Sequence, residues 1–66
     1  MSNRNIQKIV ITDRNNPKLR EIIKETDDAE TIVKAYQTLD TLIALGARPR
    51  AEIHYRGTVL RVGFKD

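Results

Sequence analysis

A nucleophilic or metal-assisted site needs thiols, imidazoles or converging carboxylates, and this chain is short of all three. Its 66 residues contain one histidine, His54, and no cysteine, which removes disulfides and thiolate metal sites together. His54 lies between Ile53 and Tyr55 in an alternating run. That is a mid-strand position pointing away from the apolar side, where a surface or dimer-interface histidine is expected rather than a general base. Ser2 stands in the terminal segment, where fraying is expected. The carboxylates of Asp27, Asp28 and Glu30 cluster where a helix should begin, and capping and the helix dipole account for acids there. Asp13, next to Arg14, reads as a turn residue, although the carboxyl end of a strand is also a place where Mg²⁺ ligands sit. The three glycines, at 46, 57 and 63, are too dispersed for a phosphate loop. No catalytic residue, metal ligand or cofactor site is expected, and the chain reads as a non-enzyme.

The cations offer more. Arg14-Asn15-Asn16-Pro17-Lys18 sets two positive charges beside the amides of a predicted helix start, a combination that holds phosphate or carboxylate, although Pro17 withdraws one amide. Arg48, Arg50, Arg56, Arg61 and Lys65 lie on or beside two predicted strands, and a two-stranded ribbon can enter a major groove or follow a nucleic-acid backbone. The expected anion- or nucleic-acid-binding residues are therefore Arg14, Lys18, Arg48, Arg50, Arg56 and Arg61. Charge is also segregated along the chain. Residues 1–24 carry six Lys/Arg and two acids, residues 25–45 one Lys and five acids, and residues 46–66 five Lys/Arg and two acids. The ends are basic and the middle acidic, so the ends can converge on an anionic partner. Tyr36, Tyr55 and Phe64 all fall in apolar stripes and are expected in the core, which leaves no platform for base stacking.

The elements that must position these groups follow from periodicity. Residues 6–12 are rich in β-branched residues and predict a strand, with Ile9 and Ile11 on one face and Ile6 and Val10 on the other. Asn16-Pro17, followed by Leu19, Ile22 and Ile23, predicts a short helix over 17–25. Asp27 with Glu30 three residues on is a variant capping box. The stripe Ala29, Ile32, Val33, Tyr36, Leu39, Leu42, Ile43 then runs to Gly46 and Pro49, so a long helix is predicted over 28–45. The alternation after Pro49 predicts a hairpin, 51–56 and 58–64, turning at Arg56-Gly57. Its register pairs Tyr55 with Thr58, Ile53 with Leu60, Ala51 with Val62, Glu52 with Arg61 and His54 with Val59.

The expectation is one α+β domain over residues 1–66, a two-layer sandwich of order β-α-α-β-β with a three-stranded sheet and its helices on one face. No apolar run approaches the ~20 residues of a membrane span, and no signal-peptide core follows the first residues, so a cytoplasmic location is expected. The functional expectation is a small binding module for an anionic partner, DNA, RNA or an acidic protein. The alternatives are a protein-interaction module, a homodimer through the open sheet face or edge or a small regulatory inhibitor, and a designed scaffold without biological activity.

Overall fold

The computed structural model describes residues 4–63. It contains β1 (Lys8–Asp13), β2 (Arg20–Ile23), α1 (Asp28–Ala44), β3 (Pro49–Tyr55) and β4 (Thr58–Gly63). The strands form one antiparallel sheet of order β2-β1-β3-β4. The α+β class and the helix layer agree with the sequence, whereas the order is β-β-α-β-β and the sheet has four strands. Ser2, Phe64 and Lys65 lie outside the described residues.

The segment expected as a first helix is a turn followed by β2. Asn16 N–H donates to the Asp13 carbonyl (3.2 Å), Leu19 N–H donates to the Asn16 carbonyl (3.0 Å), and Lys18 N–H donates to Asn16 Oδ1 (3.3 Å). Asn-Pro opens a β-turn as readily as a helix, because proline presets the φ that both need. A helix of nine residues is marginal by itself. Arg20–Ile23 instead pairs with the neighbouring β1, Ile23 beside Ile9 and Ile22 beside Val10.

The start and stop of α1 agree with their sequence signals. Asp27 accepts a hydrogen bond from Glu30 N–H (2.8 Å), while the Glu30 carboxylate takes the Thr26 hydroxyl (2.7 Å) and not the cap amide. At the far end, Ala47 N–H reaches the Leu42 carbonyl (2.9 Å) and Gly46 N–H the Ile43 carbonyl (3.0 Å). With Gly46 at φ +84° this is a Schellman stop. The buried face of the helix, however, is turned from the expected stripe. Thr31 and Ala35 are its buried residues, with Leu39 and Leu42 packed beside the core. Tyr36 is 61% exposed, and Ile32, Val33 and Ile43 are also exposed. Thr31 contributes through its hydroxyl, which donates to the Asp27 carbonyl (2.8 Å) and accepts from Glu25 N–H (3.2 Å). Ala35 lets the helix settle close to the sheet.

Under α1 lie Ile6, Ile9, Ile11, Ile23 and Ala51, joined by Ile53 and Tyr55. Ile6 precedes β1 and packs with Ile9 and Ile11, not on the opposite face. Burying one such aliphatic side chain stabilises by about 1.5–3 kcal/mol. Asp28 ties the N-terminal segment to the helix start: its carboxylate accepts from Asn5 N–H (2.9 Å) and Ile6 N–H (2.9 Å).

The second hairpin has the expected register at every pair. Gly57 has φ +68° and Arg56 does not share the positive sign, so the two-residue turn has type II signs rather than the mirror-image forms favoured in hairpins. Four strands at ~4.8 Å spacing are about twice as wide as one helix of ~10 Å diameter. α1 packs on β1, β3 and β2, and β4 is left outside.

Candidate nucleic-acid interface

Antiparallel pairing puts directly opposed residues on the same face. Since Ile9, Ile11, Ile23, Ala51 and Ile53 face the helix, their neighbours Lys8, Val10, Thr12, Arg20, Ile22, Arg50, Glu52, His54, Val59 and Arg61 form the open face. The register sorts these into rows. Arg20, Thr12 and Arg50 stand side by side across β2, β1 and β3. The next row is Ile22, Val10, Glu52, Arg61, and the one after is Lys8, His54, Val59. Four cations and one carboxylate thus share this face. The acids Asp27, Asp28, Glu30 and Asp40 all belong to the helix layer.

Of the residues expected to bind anions, Arg50 and Arg61 stand on this face. Arg14 and Arg48 continue the ladder past Asp13 and Pro49, where Arg14 N–H donates to the Arg48 carbonyl (3.0 Å). Lys18 is exposed in the β1–β2 loop at the same end. Arg56 is not among them. It sits in the β3–β4 turn at the other end of the sheet, beside Arg4, Gln7 and Lys24. Six residues along a strand separate it from Arg50 by roughly 20 Å.

Two members of the face escaped the sequence reading. Periodicity puts Arg20 in the expected short helix, and it puts Lys8 in the first strand of the sheet without marking it as a binding residue. The alternation of Arg20 and Ile22 against Glu21 and Ile23 was the signal for the first, and it is only four residues long.

Local hydrogen bonds hold the frame. Asp13 is buried, and its Oδ1 accepts from Asn15 N–H (3.0 Å) and Arg48 N–H (3.0 Å), clasping the end of β1 to the start of β3. This carboxylate is a structural acceptor for two backbone amides. Glu52 Oε2 lies 3.3 Å from Arg61 Nε, the cross-strand pair expected from the register, and Glu52 Oε1 lies 3.6 Å from His54 Nε2. His54 Nε2 is buried without a hydrogen-bond partner among the described residues. The ladder neighbours of His54 are Lys8 and Val59. Val10 is buried on this face between Ile22 and Glu52, so Ile22 and Val59 are its exposed apolar residues. Neither Tyr36, on the helix, nor Tyr55, facing the helix, can present a ring there. Gly63 has φ +154°, and a Cβ there would meet Arg50 Cα at 2.9 Å, so glycine lets β4 close against β3 at Arg50.

Among the described residues no group of three or more His, Asp or Glu side chains could hold a metal ion, and no helix is long and apolar enough to cross a membrane. Compared with family models, curated proteins and solved structures, the chain matches none.

Proposed function

We propose that this chain is a small binding module for a nucleic-acid backbone, using the open face of its sheet. The observation that supports this reading is the side-by-side row Arg20–Thr12–Arg50, with Lys8 and Arg61 on the same face and the helix acids behind it. Strand spacing puts the two arginines of that row about 10 Å apart. Their charges are carried by long side chains on a rigid ladder, which suits phosphates along a strand. Among the described residues this face carries no Tyr or Phe, and the ring of His54 is half-buried beside Glu52. That favours phosphate contact over base stacking, so recognition is tolerant of sequence.

The test is fluorescence anisotropy with a labelled single strand and a labelled duplex across a salt series. With about four phosphates neutralised, log K is expected to fall against log salt with a slope of about −3 to −4. The double variant Arg20→Gln/Arg50→Gln should weaken binding to all sequences alike and flatten that slope by about 2. Arg56→Gln, at the other end of the sheet, should change little. Absence of binding at micromolar protein in low salt would sink the reading, and so would an Arg56→Gln loss equal to that of the double variant.

A further inference from the structure

The sheet has two edges, and they are not equally defended. β2 is four residues long and carries Arg20 and Glu21. β4 is six residues long with sequence Thr-Val-Leu-Arg-Val-Gly, exposed throughout and free of proline and lysine. Short length and charge protect an edge, whereas a long apolar edge invites another strand. Beside β4 an apolar trough of about 110 Å³ opens between the helix flank (Ile32, Tyr36, Leu39) and the sheet (Ile53, Val62). Leu60 is 48% and Val62 50% exposed on that side.

Hydrogen bonds already made determine which β4 groups are left over. Gln7 N–H donates to the His54 carbonyl (2.7 Å) and Arg14 N–H to the Arg48 carbonyl (3.0 Å), so even-numbered residues of β3 direct their backbone groups to β1. Odd-numbered residues of β3 then serve β4, through Thr58, Leu60 and Val62. The amides and carbonyls of Val59 and Arg61 point outward from the sheet.

We infer that a second copy of this chain occupies this edge, the two β4 strands running antiparallel about a twofold axis through Leu60. Such an axis, normal to the sheet, keeps each face on its own side, so only even register sums are allowed. Centred on Leu60, the pairing sets Leu60 against its copy and Thr58 against Val62 on the helix side. On the open side Val59 meets Arg61. Four backbone hydrogen bonds form between Val59 and Arg61 of the two chains. Moving the axis to Arg61 would oppose two arginines, which disfavours that register. Moving it to Val59 runs the pairing into the Arg56-Gly57 turn. In the Leu60 register the two Arg61 side chains are only diagonal neighbours, and each is already accompanied by its own Glu52 at 3.3 Å. In this one register the strand meets its copy with Leu60, Thr58 and Val62 together on the helix side and without opposing like charges. The product is an eight-stranded sheet with both helices on one side and both basic faces coplanar on the other. Since one strand edge buries less than the ~800 Å² per partner of a standard interface, dissociation is expected in the micromolar range.

Sedimentation from low micromolar to submillimolar protein, without nucleic acid, tests this directly. The mass is expected to rise toward twice that of the chain. Val59→Pro removes an outward amide and spares the β3 ladder, so it should keep the native circular dichroism and remain monomeric. Register is read by single cysteines in a chain that has none. Leu60→Cys places its sulfur opposite its copy, where a Cα separation of ~4.5 Å suits a disulfide. Val62→Cys stands four residues, roughly 13 Å, from its copy. Rapid oxidative cross-linking of the first and not of the second is the expected result. A monomer at every concentration, dimers of Val59→Pro, or equal cross-linking at the two positions would each overturn the inference. None of these readouts depends on nucleic-acid binding, so the two proposals fail separately.

Discussion

β1 and β4 are both six residues long and rich in β-branched and aliphatic residues, yet their environments are opposite. β1 has Ile9, Val10, Ile11 and Asp13 buried, and no residue of β4 is buried. The difference does not lie in hydrophobicity, since Val59, Leu60 and Val62 match Ile9, Val10 and Ile11 in kind. It lies in sheet order. β1 has a strand on each side and the helix above it, while β4 has one neighbour and no helix over it. Burial is a property of the place a strand takes, and an apolar strand left at an edge marks a surface with unfinished pairing.

The sharpest way to break this comparison is to truncate both strands. Ile11 is fully buried, so Ile11→Ala is expected to lose about 2–5 kcal/mol. That is comparable with the ~3–5 kcal/mol a core in so small a chain supplies, so urea titration followed by circular dichroism should find Ile11→Ala mostly unfolded in buffer. Leu60→Ala, measured at low micromolar protein, should lose less than about 1 kcal/mol. Equal losses would mean that β4 is as well covered as β1.

Next in size is the Asp13 clasp, which joins the covered strands at their basic end. Asp13→Ala leaves the Asn15 and Arg48 amides without their acceptor, and about 1–3 kcal/mol should go with it. Hydrogen exchange should show the Arg48 amide losing protection before those of central β1. Uniform loss along β1 would show that Asp13 acts on the whole sheet rather than at its end.

The smallest effect belongs to an exposed pair on the covered side. Lys34 Nζ lies 2.6 Å from Glu25 Oε1, and the hydrogen bond and then the charge of Glu25 raise the Lys34 pKa above its ordinary 10.5. A raised lysine stabilises fully below its unfolded value and loses that contribution as pH climbs through the folded one. Lys34→Met should therefore melt slightly below the parent at neutral pH, and the gap should close above about pH 10.5. High salt should shrink it as well, because the pair is exposed. A gap independent of both pH and salt would assign the effect to packing.

How much of this was legible depended on how local each signal was. Asp27, Gly46 and the Arg56-Gly57 turn act within a few residues, so both helix ends and the hairpin register follow from spacing. Leu19, Ile22 and Ile23 fit a short helix and a short strand equally well. Pairing with β1, more than six residues away, resolved the choice, and Arg20 joined the open face only through it. Tyr36 illustrates the other kind of miss. Helical period places it beside Ile32 and Leu39, but the helix rests on Thr31 and Ala35, because the Thr31 hydroxyl is bound to Glu25 and Asp27.

The segregation of charge along the chain shows the same division. The sequence by itself determined that the cations belong to the two ends and the acids to the middle, and it determined the hairpin pairs that set Arg61 against Glu52. Alternation along the hairpin already set Arg50 and Arg61 on one face together with Arg56. Only the tertiary structure decided that Lys8 and Arg20 join Arg50 and Arg61 there, while Arg56 lies in the turn at the far end. It also decided that β4, though as apolar as β1, is left outside the helix. The physical reason is that side-chain alternation and capping are encoded within a few residues. Which strand lies beside which, and how much of a four-stranded sheet one helix can cover, are consequences of packing between distant segments.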